Sequence, residues 1–436
     1  MPVSVARLAA FDILLRVEST DAYASELLHS ARMERLSPAD HGLATEIVMG
    51  VLRWRSVLDE QLSQNVDKPL AKLDPEVITA LRMGAYQLRF LDRIPAHAAI
   101  NESVELVKKA RKRSAAGMVN AVLRKISSQS PKLSSVRDNS SISAHPAWLI
   151  QRWEQAYGSA AAHAICGYDQ AAPGTVIRAD AKLLEELAAE GVRLEPGKLL
   201  KNAYAVISGD IRRTSAFRER RLVIQDEGSQ LVALLLGRGQ RILDCCAAPG
   251  GKTRIIAEQN PQRTVVAMEL HGHRAALIKR LMPASNVHIV AADARAMPFS
   301  NQFDRILVDT PCTGSGTLAR NSEIKWRLKP AHIDGMQAYQ LEILAAAMKQ
   351  LAPGGHLLYS TCSLEPEENE VVVERVLEGA TGFRVLDIRG RLNELRKDGL
   401  LVSPDIESLV RGRYLRTIPG IHPCDGFFAA LLERGL

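Results

Sequence analysis

Cysteine is scarce and poorly spaced: Cys166, Cys245, Cys246, Cys312, Cys362 and Cys424 are the only six, and no C-x-x-C pair is among them. Disulfide frameworks belong to smaller secreted chains, so free thiols in a reducing compartment are expected. No stretch approaches the ~20 consecutive apolar residues of a spanning helix. Met1 to Thr20 mixes apolar with charged residues at helical spacing, where a signal peptide would need an unbroken apolar core. A cytoplasmic protein without membrane attachment is the expectation. Neither charge sign dominates, with 56 Lys and Arg against 49 Asp and Glu, a net +7. That excess is compatible with a polyanionic partner and proves little by itself. At 436 residues, 46% of them hydrophobic, the chain can bury a sizeable core and holds two or three domains.

Two nucleotide signatures are also missing from the stretch that most resembles one. Arg241-Ile242-Leu243-Asp244-Cys245-Cys246-Ala247-Ala248-Pro249-Gly250-Gly251-Lys252-Thr253 reads as a short buried strand, a small-residue turn and a helix start. A triphosphate loop needs Gly five residues before Gly251, and that position is Cys246. A nicotinamide site needs G-x-G-x-x-G, whereas two adjacent glycines follow Pro249 here. An adenosyl ligand such as S-adenosylmethionine remains, beside the plain reading of a strand-to-helix connection. A turn of this kind brings backbone close to a ligand and aims free N–H groups at it.

From Val3 to about Ile126 every periodic segment is helical. Val5, Leu8, Ala9, Phe11 and Leu15 form a stripe interrupted by Asp12, and Ser37-Pro38 supplies a helix start. Ser127 to Ser143 is Ser-rich with Pro131 and reads as a linker. His145 to about Arg221 is mixed, with a helix carrying Trp148, Trp153 and Tyr157 and then strand-like pieces. Arg212, Arg213, Arg218, Arg220 and Arg221 crowd its end, which favours nucleic acid over a bland surface. From Leu222 onward, strand-like runs at 241–246, 264–268, 287–291, 305–309 and 356–360 alternate with helical stretches. This is the pattern of a doubly wound parallel sheet, whose ligands bind beyond the carboxyl ends of the strands.

Those ends carry chemistry. Glu269 suits the two ribose hydroxyls of an adenosine moiety and Asp293 its amino group, although each also reads as a helix cap. Asp309-Thr310-Pro311-Cys312 and Tyr359-Ser360-Thr361-Cys362 would bring two thiols and a carboxylate to one cleft. Zinc would want a third or fourth soft ligand, and His332 and His356 sit at no ligand spacing, so no metal is expected.

Asp244 to Thr253, Asp309 to Cys312, Glu323-Ile324-Lys325-Trp326, Tyr359 to Ser363 with Glu367-Glu368-Asn369-Glu370, and the closing Asp425-Gly426-Phe427-Phe428 resemble the RNA cytosine-5 methyltransferases of the Fmu/Sun and NSUN type. The motifs span Val223 to Leu436 in order. Gly50 to Arg53, Leu81 to Leu88 and Ile94 to Glu102 are similar to the α-helical RNA-binding fold of the antitermination factor NusB. That front end points to the Fmu/Sun branch, bacterial methyltransferases of a 16S rRNA cytosine. The chain departs from the family at Asn321-Ser322, where His-Pro is usual, and at Ala179-Asp180.

The resemblance implies an α/β Rossmann-like S-adenosylmethionine methyltransferase domain at 222–436, preceded by an all-α NusB-like domain at 1–127, a linker at 128–143 and a small α+β RNA-contacting region at 144–221. It implies that Cys246, Ala247, Ala248, Pro249, Gly250, Gly251, Lys252, Glu269, Asp293 and Asp309 seat the methyl donor. Cys362 is then the nucleophile, Cys312 assists product release, Asp309 stabilises the base, and Lys252 is a candidate for favouring the thiolate. In DNA cytosine-5 enzymes the Pro-Cys cysteine attacks, which would exchange the roles of Cys312 and Cys362. The partner implied is 16S rRNA, free or in an early small-subunit particle, with the protein a monomer. A tRNA or large-subunit rRNA substrate, or a non-catalytic assembly factor, are the alternatives.

Overall fold

The computed structural model describes residues 3–129, 144–282, 284–300 and 302–436. They form two compact units, Met1–Ala172 with Leu318–Arg327, and Pro173–Thr317 with Leu328–Leu436. The expected linker lies largely outside the described residues.

Among its described residues the first unit is helical throughout. Its central helix, Pro75–Phe90, is buried along nearly its whole length. Helix Pro38–Arg53 comes so close to it that a Cβ on Gly50 would stand 1.9 Å from the Tyr86 ring, so only glycine fits. Ser37 caps that helix by accepting the Asp40 N–H at 3.1 Å. Asp12, the flaw in the first apolar stripe, is explained by an ion pair with Arg32 at 2.8 Å.

Two placements differ from the sequence expectation. Helices Ala147–Tyr157 and Ser159–Gln170 group with this first unit instead of with the strands that follow them. The Glu-Ile-Lys-Trp segment does the same, although it lies within the methyltransferase stretch of the sequence. Glu323 accepts the Ala24 N–H at 2.7 Å, Lys325 Nζ donates to the Arg53 carbonyl at 2.9 Å, and Trp326 Nε1 donates to the Leu52 carbonyl at 2.6 Å. The last turn of a helix has carbonyls without intrahelical partners, and Lys325 and Trp326 satisfy two of them on helix Pro38–Arg53.

The second unit contains two sheets among its described residues. The smaller is antiparallel, in the order β2-β3-β1-β4, from β1 (Val176–Arg178), β2 (Arg193–Pro196), β3 (Ala203–Ser208) and β4 (Val223–Ile224). Buried Glu227 fastens the chain beside it to the larger core, accepting the backbone N–H groups of Lys198, Leu199 and Leu200 at 3.0, 2.8 and 2.9 Å. The arginine crowd at 212–221 is partly neutralised, since Arg221 pairs with Glu186 and Glu219, and Arg213 with Asp210.

The larger sheet is built on five parallel strands: β5 (Arg241–Asp244), β6 (Thr264–Glu269), β7 (Val287–Ala291), β8 (Phe303–Asp309) and β9 (Leu351–Thr361). Their spatial order is β9-β8-β5-β6-β7, so the winding reverses between β5 and β8. Beyond β9 come antiparallel strands from the end of the chain: β13 (Phe428–Arg434) beside β9, then β12 (Tyr414–Arg416) and β11 (Val410–Arg411), with β10 (Phe383–Leu386) also on β13. Continuous apolar runs such as Ile306-Leu307-Val308 are buried on both faces, as a sheet covered on two sides requires.

Candidate active site

The crevice beyond the β5–β8 switch point is where an open α/β sheet binds its ligand. Both strands end there in a carboxylate, Asp244 and Asp309. After Asp244 the chain turns through Cys246 to Gly250. Gly250 has φ +108°, a left-handed conformation that a Cβ makes costly, and it opens helix Gly251–Glu258.

Lys252, in the first turn of that helix, points back so that its Nζ lies 2.8 Å from Asp309 Oδ2 and 5.3 Å from the centre of the Phe427 ring. Burial alone would lower the Lys252 pKa. The Asp309 carboxylate, with Cys362 and Asp244 nearby, more than offsets it, and the ammonium keeps its proton. The other Asp309 oxygen accepts the Ser360 hydroxyl at 2.7 Å. Asp309 is level with Ser360 in the β8–β9 ladder. That register carries Cys312 and Cys362, just past their strand ends, to an Sγ–Sγ distance of 3.3 Å. Cys312 is held well above the ordinary thiol pKa, first by its hydrogen bond with Cys362 and then by burial.

A cavity of about 160 Å³ adjoins this group, lined by Asp244, Cys246, Ala247, Ala248, Pro249, Gly251, Lys252 and Asp309 together with Ile224, Gln225 and Ser229. Asp244 is fully buried and its pKa is pushed up to about 7, chiefly by desolvation. Its Oδ2 accepts the Thr253 hydroxyl at 2.6 Å, whereas Oδ1 has no protein partner. Gln225 Oε1 is likewise unpartnered. Asp244 and Gln225 both line the cavity, and a carboxylate there suits a ligand that brings N–H donors and positive charge.

Not every residue singled out in the sequence reaches that cavity. Glu269 is buried at the end of β6, where its Oε1 accepts the His271 N–H at 3.1 Å and Arg274 stands 3.6 Å away. Asp293 is engaged by Arg295, whose Nη2 donates at 2.7 Å while its guanidinium lies over the Tyr339 ring. Nothing in the sequence had pointed to Arg295, Gln225 or Ser229, and Phe427 was marked only as part of the closing motif. The adjacent Cys245 and Cys246 have thiols pushed up by burial, which makes them poor nucleophiles. Among the described residues no group of three His, Cys, Asp or Glu side chains is arranged to hold a metal, and no helix is long and apolar enough to cross a membrane.

The model of the 16S rRNA methyltransferase RsmB/F family matches residues 231–433, and that of the NusB family matches residues 4–128. The probable ribosomal RNA small subunit methyltransferase B of Bacillus subtilis is 35% identical over 98% of both chains. The chain belongs to the RsmB/F methyltransferases. The ribosomal RNA small subunit methyltransferase B of Pseudomonas syringae pv. tomato is 33% identical over 98% of this chain and 96% of that one. NSun6 from Pyrococcus horikoshii shares the fold at 21% identity, with a TM-score of 0.57 over 66% of this chain and 98% of that one. The RsmB/F proteins are rRNA cytosine-5 methyltransferases that depend on S-adenosylmethionine. The all-α unit at the front of this one is NusB-like.

Proposed function

We propose that this RsmB/F protein forms 5-methylcytosine at one cytosine of 16S rRNA in the cytoplasm, through a covalent bond from Cys362 to the base. The observation that carries the proposal is the meeting of Cys362, Cys312 and the Lys252–Asp309 pair beside a cavity lined by Asp244 and the glycine turn.

The residues present fit S-adenosylmethionine. The Cys246–Lys252 turn and Asp244 would hold it, with Glu269 and Asp293 further along the strand ends, and when bound it supplies an electrophilic methyl group. Carbon 5 of cytosine is a weak nucleophile that simple deprotonation does not activate. Addition of the Cys362 thiolate to carbon 6 makes carbon 5 enamine-like and able to accept the methyl group. Lys252, which keeps its proton, places a positive charge near the Cys362 sulfur. Asp309, fixed by Lys252 and Ser360, is the group to stabilise the base at nitrogen 3 and the exocyclic amine as charge develops.

Cys312 then takes the proton from carbon 5, and expulsion of Cys362 restores the ring. The contact with Cys362 is the largest cause of the raised Cys312 pKa. Once Cys362 is bonded to carbon 6 that contact is lost, and Cys312 acts as the base after giving its own proton to solvent, taking the carbon 5 proton as a thiolate. The cytosine must leave its stack to reach both sulfurs, which favours a loop or a flipped base.

Trapping tests the assignment. With methyl donor and 5-fluorocytosine RNA, wild type should form an SDS-stable complex that Cys362→Ala abolishes, while Cys312→Ala should accumulate one on ordinary RNA. A complex that survives Cys362→Ala would reverse the two roles. Bisulfite sequencing of rRNA from a strain lacking the gene tests the substrate, and an unchanged set of 16S methyl marks would exclude it in favour of tRNA or large-subunit rRNA. Donor binding without any methyl transfer would favour an assembly factor.

A further inference from the structure

Each of the two thiols is followed by a hydroxyl residue, Thr313 after Cys312 and Ser363 after Cys362. One buried carboxylate holds both. Glu368 has 0% exposure. Its Oε1 accepts the Thr313 N–H at 2.8 Å and the Gln340 amide at 3.0 Å, and its Oε2 accepts the hydroxyls of Thr313 and Ser363. Four donors match the acceptor capacity of an ionised carboxylate and leave nothing for a neutral amide to replace.

Glu368 is itself fixed from behind. The Tyr359 hydroxyl donates to its carbonyl at 2.6 Å. The next residue, Asn369, accepts the Thr361 hydroxyl at 2.5 Å and donates to the Ser363 and Glu365 carbonyls at 2.9 and 2.8 Å. Gln340 reaches past the carboxylate to the Pro311 carbonyl at 2.9 Å, so Cys312 is bracketed on both sides by the same network.

The two cysteines depend on this network unequally. Cys362 directly follows Thr361, which is paired with Phe428 at the end of a strand flanked by β8 and β13. Cys312 lies three residues beyond β8, on a loop whose next residue, Thr313, donates both a backbone and a side-chain hydrogen bond to Glu368. The Thr313 and Ser363 hydroxyls also meet directly at 3.2 Å, while the Gly316 N–H to the Cys362 carbonyl at 2.9 Å and the Leu364 N–H to Ser315 Oγ at 2.9 Å act further along the Cys312 loop.

We propose that Glu368 is a positioning residue that holds the Cys312 loop against Cys362, so that product release depends on it more than adduct formation does. The inference rests on Cys362 attacking and Cys312 assisting release.

The test uses the full chain, S-adenosylmethionine and an unmethylated 16S rRNA transcript, and compares the SDS-stable adduct with free methylated product. Glu368→Gln should slow turnover about tenfold or more while first-turnover methyl transfer falls by less than about threefold, so that adduct accumulates. Thr313→Val, which removes one hydroxyl and keeps the side-chain shape, should shift the ratio in the same direction by a smaller amount. Adding Glu368→Gln to Cys312→Ala should not raise the adduct above Cys312→Ala alone, because the residue would act through that thiol. Thermal melts and calorimetric donor binding establish that the variants fold, and if Glu368→Gln does not, Thr313→Val carries the test. A parallel loss of adduct and product, or no change in their ratio, would overturn the proposal while Cys312→Ala still accumulates adduct. If Cys312→Ala accumulates none, the assignment of the thiols has failed and this inference falls with it.

Discussion

Lys252 and Asp309 form an ion pair at 2.8 Å that joins the glycine turn after β5 to the end of β8. Replacing the ammonium by a neutral chain of similar length leaves the carboxylate with the Ser360 hydroxyl alone and removes the positive charge near Cys362. Lys252→Met should lower kcat/KM by about 10²-fold or more. It should lower unfolding stability by only about 1–2 kcal/mol, because the pair is partly exposed. Single-turnover kinetics and urea melts measure the two, and a variant within threefold of wild type in activity would remove Lys252 from the mechanism.

Asp244 should make the fold and the proposed donor site pH-dependent in opposite senses. Its pKa is raised from 3.8 to about 7 in the folded chain, so the folded state holds the extra proton across that window. The stability contributed by this group is therefore fully present below pH 3.8 and is lost as pH rises through about 7. A cationic donor favours the carboxylate, so its binding should release a proton near and below neutrality and strengthen as pH rises to about 7. Calorimetry in buffers of different ionisation heat counts that proton. Asp244→Asn should abolish both the release and the stability slope.

Cys312 should be slow to alkylate at neutral pH because its thiol is held protonated by Cys362 and by burial. Cys362→Ala removes the first cause, so the pH at which Cys312 reacts with iodoacetamide should move down while remaining above that of an ordinary thiol. Mass spectrometry of the Cys312 peptide across a pH series follows it. An upward movement would show that the contact does not act as described.

Gly250→Ala would force a β-carbon into a backbone at φ +108° and within 3.4 Å of Ile278. The strain is about 1–2 kcal/mol, and it falls on the turn that would seat the donor. Donor affinity should fall about tenfold in a calorimetric titration. Gly251→Ala, with ordinary φ and the Gln225 amide 3.2 Å away, should lose less.

Lys325 is buried in the first unit and pushed down to about 7, mainly by desolvation, while burial raises its neighbour Asp169 to about 8. Above pH 8 the Asp169 proton is gone from both states, whereas the unfolded chain still holds the Lys325 proton up to its ordinary 10.5. Stability should therefore rise with pH between about 8 and 10.5 in urea melts, and Lys325→Met should lack the rise. The variant also strips the Arg53 carbonyl of its donor, at a cost of about 1–3 kcal/mol near neutral pH.

Much of the architecture was legible because its signals are local. The helical period of the first unit, the alternation of strands and helices after Leu222, and the strand-turn-helix at Asp244 to Thr253 each depend on neighbouring residues only. Helix start at Ser37 was readable for the same reason. The reading was weakest where a short segment leaves its sequence neighbours. Glu323 to Trp326 lies among methyltransferase motifs in the chain, yet its hydrogen bonds are to Ala24, Leu52 and Arg53, about 270 to 300 residues earlier. Helices 147–170 gave no sign of which unit they join, because an apolar face records that it is covered and not by what.

The sequence by itself determined the class of each part and the residues capable of chemistry: a glycine turn without the triphosphate glycine, carboxylates at strand ends, and two cysteines at the right places in a doubly wound pattern. Tertiary structure alone decided how those residues meet. The β8–β9 register brings Cys312 and Cys362 to 3.3 Å, Lys252 turns to Asp309, Arg295 takes Asp293, and Glu368 gathers the residues after both thiols. Each of those contacts except Arg295 with Asp293 joins separate elements, and its distance is set by ladder register and by the packing of buried side chains, which no local pattern encodes.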